Sequence, residues 1–224
     1  PNQKWDCSFL DEVNDSITHT VFLDLSVASQ PVGRVTIGLY GKCVPRTVEN
    51  FRCLCTGEKG AVRVAKTKKV PPVRLHYKGT DFFRVVPGFL CQGGDVTHHP
   101  QHLGGRSIYG ATFDDEGFKV KHKGAGDLLM AHGGHANNNH SQFAVAMDHL
   151  TEFETKHVIF GKVLDAHNAA ADAQMTMELY NWWIKQGRPA RGALGGGTIQ
   201  PARNCAIGVK WYNVEARAFS PPDE

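Results

Sequence analysis

The chain has 224 residues, of which 41% are hydrophobic and 21% are charged, and its formal net charge is +3 at neutral pH. This length can bury one large core, and the composition is that of a soluble globular protein. No apolar run approaches the length of a transmembrane helix, so we expect no membrane span. The small net charge does not indicate nucleic-acid binding, because phosphate contacts need a concentrated basic surface.

The six cysteines show neither the density of a disulfide framework nor the paired spacing of a zinc site, which favours a reducing compartment. We therefore expect a cytoplasmic protein. The chain starts at Pro1 rather than Met, so an organelle matrix, reached through a removed targeting segment, is the alternative.

Residues 1–19 carry several acidic side chains and no hydrophobic period, and they are interpreted as an N-terminal extension. From Thr20, apolar and polar residues alternate in two runs around a turn that contains Pro31, which predicts a β-hairpin. Pro45 then begins a helical pattern that Gly57 ends. A helix is thus expected to pack on the sheet.

Short apolar runs separated by loops rich in Gly, Asn and His follow, a pattern typical of a β-barrel. A second helical pattern starts near Asn168 and ends before Gly187, and a glycine-rich loop at 187–197 precedes a last strand around Ile207 to Val209. The predicted strands after the first helix are Phe82 to Val86, Phe89 to Cys91, Leu128 to Ala131, Phe143 to Met147 and Val158 to Val163.

The segment 82–95 has the most distinctive sequence. One strand carries Arg84, a turn of proline and glycine follows, and a second strand carries Leu90 and Gln92 before a glycine pair. Strand alternation places Leu90 and Gln92 on one face, beside an arginine that the preceding strand can present. An apolar floor thereby has a cationic donor and an amide donor.

This segment resembles the signature of cyclophilins, in which Phe, Arg, Pro-Gly-Phe and Gln-Gly-Gly-Asp stand at the same spacing. The resemblance covers roughly 21–163, and more weakly 205–208. It implies an eight-stranded antiparallel β-barrel capped by two helices, and a peptidyl-prolyl cis-trans isomerase that acts on proline-containing proteins and needs no cofactor. Further matching segments are Gly33-Arg34-Val35, Glu49-Asn50-Phe51, Ser141-Gln142-Phe143 and His157-Val158-Ile159-Phe160-Gly161.

The resemblance also implies site residues. Arg84 matches the catalytic arginine, whose donor would stabilise the twisted prolyl amide of the transition state. The matching substrate-binding positions are Phe89, Leu90, Gln92, Ala131, His132, Gln142 and His157.

Two positions depart from the proline pocket of the family. At the family's spacing, Ala144 stands where a phenylalanine is usual, and Glu152 stands where a tryptophan or another ring is usual. The loss of one buried phenyl group removes about 1.5–3 kcal/mol of favourable burial free energy. Proline binding is then weaker by about ten- to a hundredfold. We expect reduced activity and weak cyclosporin binding unless the neighbouring Phe153 takes over the missing contact.

Two functional classes remain open. Arg84, Gln92 and His157 favour an isomerase, whereas Ala144 and Glu152 favour a cyclophilin-fold binding or structural subunit of a larger assembly with little or no catalysis.

The loop 61–77 resembles the insertion of divergent-loop cyclophilins, and Cys55 and Cys205 match two cysteines that can form a regulatory disulfide there. Two inert buried thiols are the alternative. The loop is basic, which is consistent with a solvated surface or with an anion-binding patch.

Two groups of histidines fall in loops that would flank the groove, but their spacing matches no closed metal site, and no metal is expected. The histidines are His98, His99, His102, His132, His135 and His140.

Trp182 and Trp183 are adjacent in the second helix, so they cannot both face one core. One of them is expected to be exposed. Together with the N-terminal extension it either forms a docking surface for a protein partner, or it packs against that extension within the chain. We expect a cyclophilin-type domain at 20–213 and a C-terminal tail at 214–224.

Overall fold

The structure is a computed structural model, and it describes residues 15–27, 30–64, 70–86, 88–164 and 209–218. For the last of these ranges only the backbone is described. The second helix, Trp182, Trp183, the loop 187–197 and Cys205 lie outside the described residues. Within the described ranges, no helix is long and apolar enough to cross a membrane.

The described residues form ten strands, one α-helix and one short 3-10 turn. In chain order they are β1 (His19–Val27), β2 (Gln30–Leu39), α1 (Pro45–Thr56), β3 (Ala61–Val62), β4 (Val73–Arg74), β5 (Phe82–Val86), β6 (Leu90–Gly93), β7 (Asp127–Met130), β8 (Phe143–Ala146), the 3-10 turn (Thr151–Phe153), β9 (Ile159–Val163) and β10 (Val209–Ala218).

Seven strands between 19 and 163 form one antiparallel sheet, in the order β1-β2-β9-β7-β8-β6-β5. β10 joins it as an eighth strand by pairing with β1, and the two edge strands, β10 and β5, contact each other. The sheet therefore curls towards a barrel, which confirms the predicted mainly β cyclophilin-like fold. Of the two capping helices expected, α1 lies among the described residues. β3 and β4 form a separate ribbon at the base of the inserted loop.

The last strand is longer than its sequence pattern indicates. It runs from 209 to 218 and pairs with β1 along the whole length of that strand, from Val27 opposite Val209 to His19 opposite Ala218. It therefore crosses the boundary expected at 213. Hydrogen-bonded pairing with β1 determines the length of β10. Because β1 is almost 200 residues away in the sequence, the local pattern around β10 does not show this length.

The helix α1 follows its sequence signals. Pro45 occupies its first turn, and Gly57 ends it with a φ of +70°, a left-handed conformation that glycine adopts without a steric penalty. Its predicted apolar face is buried, and Phe51 packs with Tyr77, Phe143 and Phe160 at ring separations of 5.0–5.2 Å. The helix thus lies against β1, β9 and β10, and through Phe51 it reaches Phe143 of β8, the strand that carries part of the candidate site.

Candidate functional site

A row of side chains crosses the sheet at the signature strands. Arg84 on β5 lies opposite Gln92 on β6, and Gln92 lies opposite Ala144 on β8. Directly paired residues of antiparallel strands point to the same face, so these three side chains share one face. Arg84 is exposed, Gln92 is half-buried and Ala144 is buried. The row therefore runs from an exposed cation to a buried methyl group.

The glycine pair after Gln92 allows close packing of the chain at this point. A Cβ on Gly93 would lie 2.8 Å from the backbone oxygen of Asp81, and one on Gly94 would lie 2.6 Å from that of Ser141. Such distances are too short for any side chain, and Gly94 also has a φ of +87°. These two glycines let β6 and its neighbours bring Arg84 and Gln92 together.

An apolar wall stands beside this row. The half-buried Phe89 ring lies 5.6 Å from the ring of Phe153, and the Arg84 guanidinium carbon lies 6.0 Å from the centre of the Phe89 ring. Leu90, predicted as part of the same floor, is only 4% exposed and belongs to the core. The accessible aromatic surface next to Arg84 is thus supplied mainly by Phe89 and Phe153.

Phe153 and Glu152, the two neighbours considered for the missing ring contact, have different surroundings in the structure. Both residues lie in the 3-10 turn, where successive side chains point about 120° apart. Glu152 is exposed, whereas Phe153 packs against Phe89 and stands edge-on to His157 at 4.9 Å. The structure thus places the ring of Phe153, and not the carboxylate of Glu152, against Phe89.

Gln142 links β8 to the loop that follows β6. Its Oε1 accepts a hydrogen bond from Gln92 Nε2 at 3.0 Å, while its own Nε2 donates to the backbone oxygens of His102 at 2.8 Å and Gly104 at 2.5 Å. The amide of Gln142 is therefore fully engaged by the protein. Gln92 retains its carbonyl oxygen, which bonds no described group and can accept from Arg84 or from a peptide.

His102 was expected only as a member of a histidine cluster, and it has a different place in the structure. Its ring stacks on Phe83 with a centroid separation of 4.4 Å and an angle of 4°. Its backbone oxygen accepts from Gln142. Sequence reasoning missed this contribution to the site, because it depends on a carbonyl group and no side-chain pattern marks it.

The histidine side of the groove lies where β7 and β9 pair. His157 Nδ1 donates to the backbone oxygen of Met130 at 2.9 Å, and its ring stacks on His132. The backbone N–H of the buried Ala131 donates to the oxygen of Gln142 at 3.0 Å, so this N–H is not available to a peptide. Burial, and then the charge of a protonated His132, lowers the pKa of His157, which favours its neutral form.

The other histidines of the two clusters do not assemble into a ligand set among the described residues. Among the described residues, the side chains that could ligate a metal and that lie close together are those of Glu49, Cys53 and Glu58. Arg52 donates to both of these carboxylates, at 2.6–3.0 Å, so a guanidinium cation already occupies that cluster.

Cys55 is fully buried, and burial raises the pKa of its thiol well above the ordinary value. It is therefore held as the unreactive thiol in this conformation. Cys205 lies outside the described residues, so the Cys55 to Cys205 pair stays a prediction.

Comparison with known proteins agrees with this geometry. The family described as cyclophilin type peptidyl-prolyl cis-trans isomerase/CLD matches residues 22–177. The chain is 49% identical over 148 residues to the peptidyl-prolyl cis-trans isomerase CYP21-1 of Arabidopsis thaliana, covering 66% of this chain and 62% of that protein. It is 44% identical over 163 residues to the E3 SUMO-protein ligase RanBP2 of Homo sapiens, covering 73% of this chain and 5% of that protein.

The chain thus spans less than two thirds of the length of either relative. The family match nevertheless covers well over half of the chain and includes every strand of the site row. The chain belongs to the family of cyclophilin-type peptidyl-prolyl cis-trans isomerases.

Proposed function

We propose that the chain is a peptidyl-prolyl cis-trans isomerase that acts on prolyl bonds of proteins and peptides in the groove lined by Arg84, Gln92, Phe89 and Phe153. The observation that carries this proposal is the exposure of the Arg84 side chain and its position among its neighbours. This side chain is exposed, and no described carboxylate pairs with it, whereas Arg34 and Arg52 both form ion pairs. Arg74 is also exposed and forms no ion pair with a described residue, so the distinguishing feature of Arg84 is its position opposite Gln92 and beside the Phe89 ring, where its guanidinium can donate to a ligand.

The chemistry of the reaction requires little more than such a donor beside an apolar wall. Rotation about an amide faces a barrier of about 18–20 kcal/mol, because resonance holds the bond planar. In the twisted state the nitrogen loses resonance and becomes a better acceptor, so a donor aimed at it stabilises the transition state more than either planar form. Phe89 and Phe153 would hold the proline ring, and Arg84 would donate to the twisted amide.

The proposal includes a shallower proline pocket and reduced activity. Ala144 belongs to the same row as Arg84 and Gln92, and it presents one methyl group. Phe153 contributes a ring on the side of Phe89, which supports partial compensation. We expect the protein to catalyse the reaction but to bind proline more weakly. A cytoplasmic location is also part of the proposal.

Replacement of Arg84 tests the enzyme. We expect Arg84→Ala to lower kcat/KM by about 10²- to 10³-fold, the usual cost of one donor to a transition state, with an unchanged unfolding midpoint because the side chain is exposed. Protease-coupled turnover and exchange NMR on a prolyl peptide measure this rate. Arg74→Ala, an exposed arginine on β4, is the matched control. Equal, near-background rates for wild type and Arg84→Ala would refute the proposal.

A cyclophilin-fold binding subunit is the second candidate, favoured by the buried methyl group of Ala144 and by the relative RanBP2, in which the similar region is 5% of the protein. Chemical-shift changes on adding a prolyl peptide, without catalysed exchange, would identify this function. The partner surface expected at the extension and at Trp182 and Trp183 stays a prediction.

A further inference from the structure

Two histidine rings stack at the edge of the groove. The centroids of His132 and His157 are 4.4 Å apart, and their planes differ by 24°. His132 follows β7 and His157 precedes β9, and these two strands are neighbours in the sheet. By the resemblance to cyclophilins, Ala131 and His132 match an Ala-Asn pair of the family, so the second ring departs from that pattern.

Each ring is anchored through one nitrogen to a backbone carbonyl. His132 Nε2 lies 2.9 Å from the oxygen of Lys156, and His157 Nδ1 lies 2.9 Å from the oxygen of Met130. A carbonyl oxygen can only accept, so both of these nitrogens carry a hydrogen. A neutral His157 ring then has a lone pair on Nε2, and Nε2 bonds no group within the described residues.

We propose that His132 is a positioning residue for His157: it fixes the ring by stacking and by its bond to the Lys156 carbonyl, so that Nε2 of His157 is presented to a bound peptide as a hydrogen-bond acceptor. The proposal deepens the proposed function and rests on it. The anchor of His132 is the carbonyl of the residue directly before His157, so ring and backbone are held together. The edge of Phe153, at 4.9 Å, restricts the His157 ring further.

The charge balance around His157 supports the same arrangement. Burial lowers its pKa most, and the cations of His132 and Lys156 lower it further, while the bond to the Met130 carbonyl and the charge of Asp115 act in the opposite direction. A second imidazolium at stacking distance repels the first. Protonation of one ring therefore disfavours protonation of the other, and burial favours the neutral form of His157, whose Nε2 can accept a hydrogen bond.

Two substitutions separate stacking from charge. His132→Phe keeps a ring against His157 and removes the charge, whereas His132→Asn removes both. We expect the pKa of His157, followed by NMR in the free protein, to rise in both variants. Nitrogen shifts should report the Nδ1–H tautomer in wild type and in His132→Phe, and a mixture of tautomers in His132→Asn. An unchanged pKa and an unchanged tautomer in both variants would overturn the proposal.

Kinetics provide the second readout. In His132→Asn we expect KM for a prolyl peptide to rise about three- to tenfold with kcat unchanged, because one binding side chain must be ordered on binding. The midpoint of the acid limb of kcat/KM should move upward in both variants, and His132→Phe should regain most of the affinity. His135→Asn, an exposed histidine of the same loop, should match wild type.

The two proposals fail in different ways. If the wild type is inactive but the tautomer and pKa changes are as expected, the proposed isomerase function is refuted. The proposed role of His157 towards a bound peptide is then refuted with it. An active wild type whose His132 variants leave KM and the pH profile unchanged would remove the positioning role alone.

Discussion

Ala144 is the buried member of the row that also carries Arg84 and Gln92. It is 1% exposed, although it presents only a methyl group between Gln92 on one neighbouring strand and Leu129 on the other. Its burial shows that surrounding groups already close over it. A larger side chain there must either extend the apolar wall towards the peptide or press against these neighbours.

We expect Ala144→Phe to tighten prolyl-peptide binding by about tenfold or more, since one phenyl group adds about 1.5–3 kcal/mol of apolar burial when a proline ring covers it. Peptide titration by NMR gives the Kd, and urea unfolding gives the stability. Ala144→Leu is the graded companion in case the larger ring overpacks the site at a cost of about 1–3 kcal/mol. Affinity that stays constant or falls in both folded variants would show that the pocket is complete without a ring at 144.

The helix α1 supports the site through its N-terminus. Val44 provides no side-chain cap, and the carboxylate of Glu116 instead accepts the backbone N–H groups of Arg46 at 2.9 Å and Thr47 at 2.6 Å. Asn50 bonds the backbone at Ile108 and at His140. A helix end, a distant loop and the segment before Gln142 therefore form one connected unit.

We expect Glu116→Ala to lower the free energy of unfolding by about 1–2 kcal/mol, because two N–H groups of the first turn lose their acceptor and the helix dipole loses a nearby negative charge. Urea unfolding measures this loss. Asp114→Ala, an exposed carboxylate two residues earlier, is the matched control and should change stability by less than about 0.5 kcal/mol. Equal midpoints for the two variants would contradict a capping role for Glu116.

Local patterns predicted the elements well because each signal lies within the element itself. The strand Phe82 to Val86, the helix from Pro45 and its stop at Gly57 occur where the sequence indicates them. What sequence reasoning left open depends on distant partners. The packing of Phe153 against Phe89 and the length of β10 along β1 are set by contacts between segments far apart in the sequence. Such contacts leave no periodic trace in the sequence.

Among the histidines that the structure describes, three have a pKa lowered mainly by burial. His76 lies beside the end of α1, His140 precedes β8 and His157 precedes β9. Burial is the main cause that lowers the pKa of each below the ordinary value of about 6.5. The folded protein therefore favours their neutral forms, whereas the unfolded chain takes up protons below about pH 6.5.

This difference fixes the sign of the pH dependence. Where the unfolded state binds more protons, stability rises with pH, so the contribution of the three histidines is present above about pH 6.5 and is lost as the pH falls through their lowered pKa values. Carboxylates with lowered pKa values, such as Asp15 and Glu49, lose their contribution only below about pH 4.5, so these described carboxylates do not contribute to the pH dependence between about pH 4.5 and pH 6.5.

We expect the urea midpoint to fall between pH 7.5 and pH 5.5 with an unchanged m-value, because protonation alters stability and leaves the buried surface as it is. His76→Gln should flatten this slope, since it removes one of the three partly buried histidines and lies away from Arg84 and the groove. His135→Gln replaces an exposed histidine and should leave the slope as in wild type. A midpoint that is constant over this range would mean that the three side chains reach water in the folded protein.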